Sequence, residues 1–278
     1  MMQELNIDAA LDYARAHALH ALQIARGDEI LVQEYGNGFT SGTAHPLYSG
    51  TKSFWGVAAL YACGDGLLAL DEPVAEMIEQ WRDDPWKRHV TPRMLLSLTA
   101  GFGFGGLGAS VPTYDRALAI PLRDEPGSRF TYGGVPLQVF GALFARKLAP
   151  CSLTPHEYLH ERILGPAGVR IASWRKLADG THPLPTGATL AAEDWMRYGR
   201  FVLHERTTLA ACFEGSSANP RYGLGWWLRT RGAPLDLVYA SGSAGQALYL
   251  VPSRDLAIVH FGKSSSYRHE TFVKRLFG

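Results

Sequence analysis

Polar and apolar positions change their period twice along this chain. Leu11, Ala14 and Ala18 share one face of an Ala-rich stretch, which predicts a helix over about 9–18 with Asp8 as its cap. Two short apolar runs at 21–25 and 30–34 follow, separated by Arg26-Gly27-Asp28-Glu29, the pattern of a β-hairpin. A further regular element begins near Ser49 and reaches Cys63, and Gly64-Asp65-Gly66 supplies its left-handed terminus.

The middle of the chain reads as helical and loop-rich. Helical spacing occurs over 71–81, 91–98 and 135–148, and Thr154-Pro155 opens another helix with a cap followed by a first-turn proline. Glu193-Asp194 place negative charge in the first turn of a helix ending near Leu203. Strand-like runs at 222–229, 236–240, 246–251 and 256–261 then alternate with turn residues, and a helix over 267–276 closes the chain. Strands at both ends and helices between them predict an α+β fold. Its antiparallel sheet domain is discontinuous, formed by 1–62 and 186–278, and 63–185 is an inserted helical lobe.

Composition narrows the function classes. The chain has 278 residues, of which 46% are hydrophobic and 19% charged, enough apolar material for a large core. Lys and Arg number 27 against 26 Asp and Glu with no basic run, so a nucleic-acid partner is disfavoured. Glu4, Asp8, Asp12 and Arg15 interrupt the apolar residues at the start, unlike a signal peptide, and the apolar runs near 54–63 and 135–145 are too short for a membrane span. A cytoplasmic protein with no membrane partner is the expectation. Cys63, Cys151 and Cys212 form neither a CxxC pair nor a closed disulfide set, and Cys63 is expected as a small core residue.

Three places carry candidate chemistry. In Ser49-Gly50-Thr51-Lys52 the i and i+3 side chains of a helix share a face, so the amine reaches the hydroxyl. Serine becomes a good nucleophile when a neighbour takes its proton, and lysine can do so when burial lowers its pKa from about 10.4 toward neutrality. Free N–H groups at the helix start, Ser49's own among them, can hold a developing oxyanion. The pair alone is weak evidence, since both residue types are common. The second place is Tyr132, in Phe130-Thr131-Tyr132-Gly133-Gly134 between an extended segment and a helix; the third is the Gly/Ser-rich turn Ala240-Ser241-Gly242-Ser243-Ala244-Gly245 after a strand.

With these in order, the chain resembles the serine β-lactamase and penicillin-binding-protein superfamily, in its class C-like branch of esterases, D-amino-acid peptidases and aminohexanoate-dimer hydrolases. Leu47-Tyr48-Ser49-Gly50-Thr51-Lys52-Ser53-Phe54 is similar to the nucleophile segment and 65–74 to the turn after it. Thr91-Pro92-Arg93-Met94-Leu95-Leu96-Ser97-Leu98-Thr99-Ala100-Gly101 is similar to T-x-x-x-L-L-x-H-T-S-G, and Tyr222-Gly223-Leu224-Gly225-Trp226-Trp227 to a later strand. The resemblance implies that Ser49 is acylated, Lys52 helps deprotonate it and Tyr132 relays protons. The backbone N–H groups of Ser49 and Ser243 would form the oxyanion hole, with Ser241, Gly242 and Gly134 as candidate substrate contacts. No cofactor is implied. Ala240 replaces the lysine of the K-T-G motif and Gly134 the usual asparagine, so recognition of a substrate carboxylate is in doubt. The expected substrate is a small ester or amide; a true β-lactamase or DD-peptidase is the alternative within hydrolysis, and a non-catalytic binding member the alternative outside it.

A competing motif is His156-Glu157-Tyr158-Leu159-His160, which matches the zinc signature H-E-x-x-H. Position 163 is Ile and no third ligand follows in suitable spacing, so a solvated helix face is the expected reading, with no metal. Tyr239 and Trp174 are candidates for a pocket wall or for ordinary packing. Oligomeric state is open.

Overall fold

A computed structural model describes residues 5–278, so Glu4 and the other residues at the start of the expected 1–62 segment lie outside it. Helix α1 spans Ile7–Ala16 and starts at Asn6, whose side chain accepts the Ala9 N–H at 3.1 Å. The expected cap, Asp8, lies inside the first turn because Asn6 already adopts the non-helical cap conformation. Strands β1 (Leu19–Arg26) and β2 (Glu29–Tyr35) form the anticipated hairpin, and β3 (His45–Pro46) follows. The next segment is a tight 3-10 turn, Tyr48–Lys52, which leads into α2 (Ser53–Gly64).

The expected helix over 71–81 is instead two short turns, Val74–Glu76 and Glu79–Trp81. Pro73 is extended and Ile78 non-helical, and burial of Val74, Ile78 and Trp81 ties the segment to the core without a continuous hydrogen-bond ladder. Helix α3 (Pro92–Leu96) is capped by the Thr91 hydroxyl, and α4 (Tyr114–Ala119) and α5 (Val135–Leu148) follow. Helix α6 (Pro155–Leu159) opens on a Thr154–Glu157 capping box and runs into a π-helical turn at His160–Leu164.

The remaining elements are β4 (Ser173–Trp174), β5 (Ala188–Leu190), α7 (Ala192–His204), β6 (Trp227–Leu228), β7 (Val238–Gly242), β8 (Gln246–Val251), β9 (Leu256–Gly262) and α8 (His269–Phe277). Only Trp227 and Leu228 of the expected 222–229 strand join the sheet. Gly225, at φ +85°, turns the chain so tightly over the start of α2 that a Cβ there would meet the Lys52 carbonyl oxygen at 2.4 Å.

The main sheet runs β2-β1-β9-β8-β7-β6, antiparallel throughout, and a small second sheet runs β3-β5-β4. The α+β class and the antiparallel sheet flanked by the first and last helices agree with the sequence reading. Alternation along the strands divides the core. Leu22, Ile24, Tyr249 and Ile258 pack with α1 and α8 on one face; Ala25, Leu248, Leu250 and Val259 pack with α2 and α7 on the other. With both faces covered, β8 and β9 are buried along their whole length, which is why they read as unbroken apolar runs. Cys212 is buried, whereas Cys63 is only partly so, at the end of α2. No helix among the described residues is long and apolar enough to cross a membrane.

Candidate active site

The 3-10 turn at Tyr48–Lys52 makes the first contact of the site. Three residues per turn bring i and i+3 into register, a closer alignment than an α-helix gives. Lys52 Nζ accordingly lies 3.0 Å from Ser49 Oγ, and it donates to the Pro185 carbonyl at 3.1 Å. Lys52 is 1% exposed, and burial brings its pKa from 10.5 down to about 7. With one N–H held by Pro185, the neutral amine has its lone pair free for the Ser49 proton. Tyr48, just before Ser49, has φ +48°, a left-handed conformation that costs a residue with a Cβ about 1–2 kcal/mol.

Tyr132 reaches the same hydroxyl from the segment before α5. Its hydroxyl faces Ser49 closely enough for the serine to lower the phenol's pKa, and Lys52 Nζ lies 4.9 Å from the centre of its ring. Burial raises the Tyr132 pKa, and the nearby Ser49 hydroxyl opposes this only in part, so the phenol keeps its proton at neutral pH. Trp227 stacks on the ring at 5.8 Å and Tyr222 meets it edge-on at 6.3 Å, which fixes the phenol's direction.

The opposite wall is the end of β7 and the turn Ser243–Gly245. A Cβ on Gly242 would lie 2.1 Å from the Leu47 carbonyl oxygen, so the absence of a side chain lets β7 close onto the segment that carries Ser49. The buried Gln246 side chain donates to the Ser243 and Gly262 carbonyls, each at 2.8 Å, and His260 Nδ1–H donates to the Gly245 carbonyl at 2.6 Å. These bonds hold the turn whose first N–H, that of Ser243, has no helical partner of its own. Gly242→Ala is expected to force β7 away from Leu47 and lower stability by about 1–3 kcal/mol, read as a reduced urea midpoint with an unchanged slope; an unchanged midpoint would show that the two segments yield freely.

Between these walls lies a cavity of about 420 Å³, within the range of small-molecule sites. Ser49, Tyr132, Ser241, Gly242 and Ser243 all line it, and Tyr239 does so as well. Among the described residues lining it, none is Asp, Glu, Lys or Arg. Gly134, expected as a substrate contact, is elsewhere: it is buried behind Tyr132, where a Cβ would meet the Gly106 carbonyl oxygen at 1.9 Å. Trp174 also stays out of the cavity and packs against Trp55 and His156. Ala240 is buried on the core side of β7.

Three contributors escaped the sequence reading. The Pro185 carbonyl could not have been found, because it is a backbone group from a distant loop. Tyr48 was legible only as part of the nucleophile segment. His269, at the start of α8, lines the cavity although it shows no motif spacing, and its Nε2 is 2.8 Å from Ser241 Oγ. The H-E-x-x-H histidines have different surroundings: His156 stacks on His182 at 4.3 Å, while His160 is exposed at the start of the π-helical turn. Among the described residues no three His, Cys, Asp or Glu side chains are grouped so as to hold a metal ion.

Solved structures share this architecture. EstCE1, described as a hydrolase with promiscuous acyltransferase activity, superposes with a TM-score of 0.77 at 16% identity over 97% of this chain and 96% of its own. A D-stereospecific amidohydrolase from Streptomyces sp. gives 0.75 at 15% identity, covering 97% and 98% of the two chains. The octameric penicillin-binding protein homologue from Pyrococcus abyssi gives 0.74 at 18%, covering 97% of this chain and 75% of that one. A search of curated proteins finds no match. The family profile described as beta-lactamase matches residues 10–270, a span that holds the sequence motifs, the main sheet and the grouping of Ser49, Lys52 and Tyr132, and the chain belongs to the beta-lactamase family.

Proposed function

We propose that this chain is a serine hydrolase that forms an acyl-enzyme on Ser49 and acts on a small, uncharged ester or amide. The carrying observation is the 3.0 Å approach of Ser49 Oγ to a lysine amine that burial keeps substantially neutral at physiological pH. In this reading Lys52 accepts the hydroxyl proton as Ser49 Oγ attacks the acyl carbon. The N–H groups of Ser49 and Ser243 stabilise the oxyanion. Tyr132, protonated at rest, gives its proton to the leaving group and recovers one as water attacks the acyl-enzyme, and Lys52 returns its proton to Ser49 Oγ as the acyl bond breaks. The hydrolase and amidohydrolase activities named for two structural neighbours belong to the same reaction class.

The uncharged cavity supports the substrate class. A carboxylate bound there would lose its hydration with no charged side chain among the lining residues to replace it, which is unfavourable. Small neutral esters carry no such penalty, and the aromatic wall of Tyr132, Trp227 and Tyr239 suits an apolar acyl or alcohol group. Initial rates on p-nitrophenyl acetate and butyrate should exceed those on nitrocefin by about 100-fold or more in kcat/KM. Faster turnover of nitrocefin would favour the β-lactamase reading, and no turnover of any of the three would favour a binding protein.

A further inference from the structure

The wall opposite Tyr132 carries a hydrogen-bonded chain that the reaction described above does not use. Ser241 Oγ is 2.8 Å from His269 Nε2, His269 Nδ1 is 2.7 Å from the Tyr249 hydroxyl, and that hydroxyl is 3.0 Å from the hydroxyl of Tyr267. Tyr249 and Tyr267 are buried, whereas Ser241 and His269 face the cavity. We propose that His269 is a positioning residue that turns the Ser241 hydroxyl into a fixed hydrogen-bond donor, so that the site selects neutral substrates carrying a second, uncharged acceptor oxygen near the reacting ester or amide. The substrate class rests on the hydrolase reading above; the direction of the chain does not.

That direction follows from counting hydrogens. Burial lowers the His269 pKa to about 4, so at neutral pH the imidazole carries one N–H and one lone pair. In one order Tyr267 donates to Tyr249, Tyr249 donates to Nδ1 and Nε2–H donates to Ser241 Oγ, which leaves the Ser241 hydrogen free to point into the cavity. In the reverse order Ser241 donates inward and the last hydrogen is that of Tyr267, for which Tyr249 is the hydrogen-bond partner among the described residues. An orphaned buried donor costs about 1–3 kcal/mol, so the outward order prevails. Tyr239, whose ring centre is 5.1 Å from that of His269, has its pKa pushed up to about 12 by burial and stays neutral. The result is a neutral donor one residue beyond Ala240, in a cavity whose lining residues include no Lys or Arg.

Two measurements test this. Long-range 1H–15N correlation of the imidazoles, with His269 assigned from a His269→Asn spectrum, is expected to show the Nε2–H tautomer; the Nδ1–H tautomer would reverse the chain and overturn the proposal whether or not the protein turns over esters. Kinetically, isosteric pairs separate acceptor recognition from size: p-nitrophenyl methoxyacetate against butyrate for the acyl side, and 2-methoxyethyl against butyl acetate for the alcohol side. After correction for hydroxide-catalysed rates, the native protein should prefer the ether-bearing member of at least one pair. Ser241→Ala, His269→Ala and Tyr249→Phe should each reduce that preference by about three- to tenfold, and Ser241→Ala combined with Tyr249→Phe should go no further than Ser241→Ala alone. Tyr249 lies outside the cavity, so a Tyr249→Phe protein with an unchanged preference would overturn the proposal. Retained fluorophosphonate labelling of that variant shows that it is folded, and loss of labelling in the native protein would instead count against the hydrolase reading.

Discussion

Lys52→Met is expected to lower kcat/KM for p-nitrophenyl esters by about 10³–10⁴-fold, the scale of a lost general base acting on an otherwise inert hydroxyl. Methionine keeps the unbranched stem, so α2 and its packing survive while the lone pair beside Ser49 disappears. The pH profile of the native protein gives the same assignment a sign. A protonated amine cannot accept the Ser49 proton, so kcat/KM should rise with pH through a midpoint near 7 and fall about tenfold per pH unit below it. A midpoint above pH 9 would mean that burial does not set the amine's state.

The same lysine has a stability signature. Its folded pKa, about 7, lies below the ordinary value of 10.5, so between those pH values the unfolded chain binds a proton that the native one does not. Native stability therefore rises with pH across that window. Lys52→Met removes this slope, and because it takes a disfavoured charge out of the core it should stabilise the protein at pH 6 by about 1–2 kcal/mol. Denaturant midpoints at pH 6 and pH 10 measure both effects.

Ser49→Ala is expected to have the largest effect, reducing ester hydrolysis by about 10⁴-fold or more, to whatever the oxyanion donors and binding alone supply. The two changes should not add. Once the hydroxyl is gone the amine has no proton to accept, so Ser49→Ala combined with Lys52→Met should be no slower than Ser49→Ala alone. A multiplicative loss in the double variant would mean that Lys52 acts on something other than Ser49.

The sequence was most legible where a local rule and the tertiary structure ask for the same residues. Helix α5 begins and ends where the periodicity of 135–148 predicts, and β8 matches its apolar run, because α5 is buried from Val135 to Phe144 and β8 along its whole length. The segment 71–81 misled because Val74, Ile78 and Trp81 have helical spacing but are anchored through separate turns around Pro73 and Ile78. The run 222–229 misled because Gly225 bends it over α2.

The sequence singles out Ser49, Lys52 and Tyr132, which the structure brings close together, because each stands in a recognisable motif. Gly134 stands in one too, yet it is buried against the Gly106 backbone and is not among the residues lining the cavity. His269 could not be read at all. It reaches Ser241 only because α8 packs beneath the sheet beside β7, a relation between segments 28 positions apart that no local pattern records.

The most direct test of the central claim is intact-mass spectrometry after exposure to a fluorophosphonate, run on the native protein and on Ser49→Ala. One covalent adduct per native chain, mapped to Ser49 by peptide digestion and absent from the variant, is the predicted result. An unmodified native protein, or an adduct that persists in Ser49→Ala, would contradict it.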